Sequence, residues 1–216
     1  MIPIETIRIK VRRFYMKKTA KFRSKMINSS DFTIISNNCW GGFIYQSYNM
    51  KYNSPTVGLF FMAEDYINFL SNIKEIIYKP LEFINYTQSK YYNYYKDWDN
   101  FGKYPIGRFK DTDIEIHFLH YSSIEEVLNN WNRRVERINW NRIIYKFNDQ
   151  NLCNKDHLKK FSELPVENKI CFTSKKYNLP NTIYIKSSRK YSEIKASHEP
   201  FGNSKNININ ALINNL

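Results

Sequence analysis

The segment Phe32-Thr33-Ile34-Ile35-Ser36-Asn37-Asn38-Cys39-Trp40-Gly41-Gly42 constrains the fold more than any other stretch of the chain. It begins as a short apolar run rich in β-branched side chains. Such a run reads as a strand covered on both faces, and strands of that kind belong to parallel sheets flanked by helices. Two-faced apolarity also places the strand in the interior of its sheet. The run stops abruptly in two amides, a thiol, an indole and two glycines. Open α/β sheets gather ligands at the carboxyl ends of their strands, so a site is expected just after Ser36. Gly41 and Gly42 allow a sharp turn or a close backbone approach before a short helix opens in the apolar segment from Gly42 to Asn49.

The rest of the chain alternates strands with helices. Thr56 to Phe61, following Pro55, reads as a second buried strand. Tyr66, Ile67, Phe69, Leu70, Ile73, Ile76 and Ile77 recur at three- and four-residue steps and form one face of a helix that Pro80 ends. Leu81 to Tyr86 reads as a third strand. Ser122-Ser-Ile-Glu-Glu126 offers a capping box in either register. It starts a helix whose buried stripe is Ile124, Val127, Leu128, Trp131, Val135 and Ile138. Arg142 to Phe147, Lys169 to Ser174 and Thr182 to Lys186 supply further strands, and Asn154 caps a helix reaching Phe161. No linker rich in Pro, Gly or Ser divides the 216 residues, so the pattern implies a single α/β domain: a three-layer α/β/α arrangement around a mixed, mostly parallel sheet. Residues 31–190 make up that domain. Residues 1–30 form a basic arm with helical character, and the Asn-rich residues 191–216 form a tail or a short peripheral helix.

The formal charge of +13 is concentrated in the arm. Nine Lys and Arg side chains lie between Arg8 and Lys25 with no acidic residue among them, and Ile9, Val11, Phe14, Tyr15 and Phe22 are interleaved. A basic amphipathic helix suits an anionic membrane surface or another negatively charged partner; packing of its apolar residues on the chain's own body is the alternative. Nucleic acid ranks last among partners, since no zinc finger, RNA-recognition signature or KH loop is present. The three cysteines, Cys39, Cys153 and Cys171, lack paired spacing, which argues against a disulfide framework and for a reducing compartment. Neither a secretory leader nor a run of about 20 apolar residues is found, so a cytoplasmic location is expected, with attachment at the inner membrane face left open.

Chemistry-bearing residues gather in a few places. Cys39, Asn37 and Asn38 are delivered by the strand end, and a thiol preceding a helix is a nucleophile candidate. Trp40, Gly41 and Gly42 flank it as substrate-binding candidates. Asp113-Ile-Glu-Ile-His-Phe-Leu-His120 alternates cleanly, sending Asp113, Glu115 and His117 to an outer polar face and leaving His120 at the strand's end as the candidate catalytic imidazole. Arg133 and Arg137 stand one turn apart on a helix face, a repulsive arrangement that an intervening anion would relieve. Residues 87–103 carry six exposed-type rings and read as an insertion, either stacking on sugars or packed over the domain edge. Asp97-Trp98-Asp99 has the spacing of some metal–diphosphate sites, but Asp111-Thr112-Asp113 repeats it by chance, and no metal ligand or cofactor is assigned.

Ser36-Asn-Asn-Cys-Trp-Gly-Gly42, Ser54-Pro-Thr-Val-Gly-Leu-Phe-Phe61, Tyr104-Pro-Ile-Gly107, Asp113-Ile-Glu-Ile-His-Phe-Leu-His-Tyr121 and Trp131-Asn-Arg-Arg-Val-Glu-Arg-Ile-Asn-Trp140 together resemble the hallmark segments of an uncharacterised bacterial family. Its members are often labelled exopolysaccharide or capsule biosynthesis proteins. The resemblance implies a role in surface-polysaccharide assembly and carries over no catalytic residues. The Cys39-Trp40-Gly41 step is also similar to that of papain-like proteases, but Thr33 stands where their oxyanion-hole Gln would lie, which excludes that chemistry. The resulting expectation is a transferase acting on a saccharide or sugar-nucleotide substrate. A non-catalytic glycan-binding partner and a membrane adaptor using the basic arm are the alternatives.

Overall fold

The computed structural model describes residues 4–195, 199–200 and 204–216. In the basic arm, the side chains of Arg8, Ile9, Arg12, Arg13 and Lys17 lie outside the described residues. The elements in chain order are α1 (Ile4–Ser24), β1 (Thr33–Ser36), α2 (Trp40–Ser47), α3 (Ala63–Ser71), α4 (Ile73–Ile76), β2 (Leu81–Ile84), α5 (Tyr92–Tyr95), β3 (Ile106–Phe109), β4 (Glu115–His117), α6 (Ile124–Val135), β5 (Ile143–Asn148), α7 (Lys155–Glu163), β6 (Lys169–Thr173), β7 (Thr182–Tyr184) and α8 (Ile209–Asn214). Strands β1, β5, β6 and β7 form an all-parallel sheet in that order, and β2, β3 and β4 form a separate antiparallel sheet.

Alternation of side chains across the parallel sheet separates two cores. Ile35, Tyr145, Phe147 and Cys171 point into a large cluster with α3, α4, α6, α7 and the inner face of the antiparallel sheet. Phe32, Ile34, Ile144, Ile170 and Phe172 point the other way, onto Trp40, Ile44 and Tyr45 of α2 and Ile209 and Ile213 of α8. These are the three layers of a single mixed α/β domain. The short helix expected near the carboxyl end is α8, and its Ile209 and Ile213, with Ile194, are buried in the second cluster, so these described residues are core. The Asn-rich composition hides a local i, i+4 apolar pair, with Asn208 capping α8 by accepting a hydrogen bond from Ala211 N.

Two helix starts are as the sequence indicates. Ser123 caps α6 by accepting from Glu126 N, and Asn154 caps α7 in a capping box with His157. The long helix expected over residues 66–77 is divided at Asn72, whose φ of −141° leaves the helical region. The strand expected over Thr56 to Phe61 is an extended segment with one bridge, Phe60 to His117. The alternating segment Asp113 to His120 is a strand only at Glu115–His117 and belongs to the antiparallel sheet. Of its polar face only Asp113 is exposed; Glu115 and His117 are both fully buried. The insertion covers them: Glu115 accepts from Ser89 Oγ, Lys90 N and Arg108, and Tyr95, Phe101 and Tyr104 pack with Phe60 and Met62 in a third cluster. Burial pushes the His117 pKa down to about 3, so the ring is neutral at physiological pH.

The expectation for β1 itself is corrected. It is an edge strand, paired only with β5. Its residues are nevertheless all buried, because the free edge is covered by hydroxyls instead of another strand. Thr33 and Asn37 donate to β5 carbonyls of Arg142 and Lys146, which leaves the amides of Ile34 and Ser36 on the outer side. Ile34 N donates to Tyr45 Oη at 2.9 Å and Ser36 N to Thr56 Oγ1 at 3.0 Å. Tyr45 Oη in turn donates to the Phe32 carbonyl at 3.2 Å. Buried backbone groups must be paired, and two side chains do here what a strand would do elsewhere. Apolarity on both faces therefore reports burial, not interior position.

Tyr45→Phe should remove one such pairing with little change in volume. The Ile34 amide and Phe32 carbonyl would lose their partner, at a cost of about 1–3 kcal/mol. Urea denaturation should show a lower midpoint with an unchanged slope; an unchanged midpoint would mean that the edge does not depend on the hydroxyl.

Candidate functional site

The polar residues at the end of β1 divide between two environments. Asn37 and Asn38 turn inward. Asn37 Nδ2 donates to Asn148 Oδ1 at 2.7 Å, and Asn38 Oδ1 accepts from Lys146 Nζ at 3.0 Å and from Trp40 N at 3.1 Å. Lys146, in the middle of β5, is fully buried and ion-paired with the buried Glu199. Burial pushes the Lys146 ammonium pKa down, and the Glu199 carboxylate opposes that shift. Trp40 closes the network, donating from Nε1 to the Pro200 carbonyl at 2.5 Å. Gly41 packs on Ile34, where an added Cβ would come within 3.2 Å of its side chain. Asn37, Asn38, Trp40 and Gly41 are thus buried in this network, and none of them lines the cavity that holds His120.

Cys39 and Gly42 face the other way. With His120 they line a cavity of about 450 Å³ beside the covered edge of β1, between α1, α2 and α6. Three features of the chain bring them together. Cys39 is the residue before α2, and its Sγ lies 3.8 Å from the Leu59 carbonyl. The extended segment containing Leu59 is tied to β1 by Phe61 N donating to Asn37 O, and to β4 by the reciprocal Phe60–His117 pair. His120 N then donates to the Gly58 carbonyl at 2.9 Å, which sets the imidazole-bearing residue on the same wall. Gly58 has φ +83°, and a side chain there would meet the Tyr121 ring at 3.0 Å. Only glycine serves at that position without strain.

The third cavity group is Arg134, expected with Arg133 and Arg137 on the exposed positions of the helix but found buried. Arg133 and Arg137 are exposed and do not line the cavity. Arg133 donates to Asn130 Oδ1 at 2.7 Å. Arg134 is only 8% exposed. Its guanidinium donates to Tyr121 Oη at 2.6 Å, to the Val57 carbonyl at 3.3 Å and to Asn130 Oδ1 at 3.2 Å, and it lies 5.1 Å over the Tyr52 ring. None of the ion pairs among the described residues includes it. The signal was present in the helix period: Arg134 falls seven residues after Val127 and three after Trp131, on the inward stripe of α6. Gln46, Tyr52 and Glu126 also line the cavity. Glu126 is held by the Ser122 amide and hydroxyl, both at 2.9 Å. These hydrogen bonds, from the amide first, hold its carboxyl pKa below the usual range.

Among the described residues no group of three or more His, Cys, Asp or Glu side chains could hold a metal ion. Asp113 is occupied by Lys90, with Nζ to Oδ2 at 3.1 Å, and Glu115 by Arg108. What the cavity offers is a thiol, an imidazole and a guanidinium fixed by neutral partners. That set can hold an anion and exchange a proton beside it.

Residues 10–214 match the model of a domain of unknown function, DUF1919. The chain belongs to this family. An uncharacterized protein of Haemophilus influenzae is similar to it, 29% identical over 198 residues that cover 90% of this chain and 87% of the relative. The match to the DUF1919 domain runs from within α1 through α8, so it takes in all three walls of the cavity as well as the buried Lys146 network.

The thiols of this DUF1919 member differ in accessibility. Cys171 is buried, whereas Cys39 and Cys153 are both half-buried, and burial pushes the Cys153 and Cys171 pKa values up. Cys39 opens on the cavity. Iodoacetamide near neutral pH should therefore label Cys39 first, as read by peptide mass spectrometry after short exposure. Labelling of Cys153 ahead of Cys39 would remove the thiol from the site.

Proposed function

We propose that the protein is a group-transfer enzyme of bacterial surface-polysaccharide assembly whose cavity binds a phosphate-bearing saccharide such as a sugar nucleotide. The observation that carries this reading is Arg134: a buried guanidinium whose hydrogen-bond partners are a phenol, a backbone carbonyl and an amide, on the wall that also holds Cys39 and His120. Buried charges are normally paired, and an uncompensated one is costly. Glu126 on the same cavity feels the Arg134 charge without forming an ion pair with it among the described residues; a substrate phosphate would be a direct partner, and the planar fork of arginine suits it. The volume of about 450 Å³ fits a small molecule rather than a polymer segment. The polysaccharide context comes from the labels of the family that the sequence motifs resemble.

In this reading Arg134 anchors the substrate phosphate and offsets charge that builds on it during transfer. His120 is placed to take the proton of an incoming acceptor hydroxyl. Cys39, just before α2, and Gln46, two turns further on near its end, also line the cavity. Asn37 and Asn38 act through β5 and α2 as positioning residues, since neither reaches the cavity.

Calorimetric titration with uridine diphosphate glucose and with free glucose tests the binding half. The nucleotide sugar should bind and the neutral sugar should not. Arg134→Ala should weaken binding by roughly ten- to a hundredfold, the loss expected for a charged hydrogen-bonded pair, and Arg134→Lys should restore only part. Equal binding of the neutral sugar, or indifference to Arg134→Ala, would contradict the anion site. Nucleotide release on incubation tests the chemical half: it should disappear in His120→Ala with binding retained. Tight binding without release by the unaltered protein would leave a glycan-binding protein instead of an enzyme.

A further inference from the structure

Helix α1 carries a face that the domain does not use. Met16 and Ala20 are buried against the body, and Arg23 fixes the helix end by donating to the Ser47 carbonyl at 2.7 Å, at the carboxyl terminus of α2. On the opposite side Ile7, Val11, Phe14, Tyr15 and Phe22 are between 49% and 68% exposed. At 100° per residue these five fall within an arc of about 100°, centred opposite Met16 and Ala20. Exposed Lys10, Lys18 and Lys21 lie along or within the same arc, and Lys18 Nζ sits 4.6 Å over the Phe14 ring. An apolar stripe with lysines whose stems run beside it is the pattern of a helix lying in a membrane interface, where rings enter the acyl boundary and ammonium groups meet headgroups.

We infer that α1 docks the protein on an anionic lipid bilayer through the Ile7–Phe22 face. Charge decides between the occupants of that face. The segment from Arg8 to Lys25 holds nine cations and no anion, so a second copy of the chain would set like charge against like charge, whereas a bilayer rich in acidic headgroups is complementary. Among the described residues no helix is long and apolar enough to cross a membrane, which leaves lying on the surface as the mode. Docking by α1 does not depend on what the cavity binds. It does place the cavity close to the headgroups, because Met16, on the inner side of the same helix, lines it; one helix diameter, about 10 Å, separates the two.

Co-sedimentation of the full chain with phosphatidylcholine vesicles, with and without phosphatidylglycerol, tests the inference. The protein should bind only the anionic vesicles, and binding should weaken sharply near 1 M salt, where the Debye length is about 3 Å. Phe14→Ser combined with Phe22→Ser should lower partitioning by roughly tenfold or more while leaving the circular dichroism unchanged. Val11→Gln combined with Tyr15→Gln serves as an independent pair should the first alter folding. Absence of binding to anionic vesicles overturns the inference. So does binding that survives both apolar pairs, which would be plain polyelectrolyte adsorption. A dimer in sedimentation velocity that Phe14→Ser dissociates would assign the face to a second copy.

Discussion

The covered edge of β1 is the constraint on which the rest of the structure depends. A buried edge strand needs partners for its outward amides, and the hydroxyls of Tyr45 and Thr56 provide them. Tyr45 lies in α2 and Thr56 at the head of the extended segment, so satisfying two amides fixes both elements against the strand. That segment then continues to Phe60 and Phe61, where it joins the parallel sheet at Asn37 and the antiparallel sheet at His117. Cys39, His120 and Arg134 come from segments nearly a hundred residues apart. They share a wall because this one connection joins the two sheets.

Electrostatics separates the two polar ends of the domain. Lys146 is fully buried but answered by Glu199 and by the amides of Asn37 and Asn38, a closed arrangement that removal of either charge would break. Arg134 is nearly as deep, and every hydrogen bond described for it goes to a neutral group. Lys146 is paired within the fold, although Glu199 Oε2 is buried without a hydrogen-bond partner among the described residues. Arg134, held in geometry by neutral partners on a cavity wall, is the charge on which the proposed ligand site rests. At the carboxyl end of the parallel sheet, where ligands commonly bind in α/β folds, stand the buried Glu199 and Trp40, and the cavity that holds His120 lies to the side of β1.

Much of the fold is legible in the sequence because it rests on local signals. The strand at Thr33–Ser36, the Ser123 and Asn154 caps and the buried Val127, Trp131 and Val135 of α6 follow from residue type and spacing, whereas Ile124 and Leu128, expected on the same stripe, are exposed. What escapes is what depends on distant partners. Apolar faces on β1 do not distinguish a neighbouring strand from a pair of hydroxyls, and the alternation of Asp113 to His120 does not reveal that residues 87–103 fold over its polar side. The same limit applies to the cavity. Cys39 and His120 stand out as chemical groups after strand ends, but the choice among Arg133, Arg134 and Arg137 turns on helix phase, and phase places Arg134 alone on the inner face. Asn37 and Asn38 share Cys39's stretch of sequence, yet both amides are drawn into the core by the distant partners Asn148, Lys146 and Glu199, which local sequence does not announce.

We propose that the cavity beside β1 binds an anion at Arg134. The most direct test is a crystal structure of the protein soaked with a sugar nucleotide. The account predicts a phosphate in hydrogen-bonding reach of the Arg134 guanidinium, with the sugar toward Cys39 and His120. A ligand bound elsewhere, or a phosphate that displaces Glu199 from Lys146 and leaves the cavity empty, would contradict it.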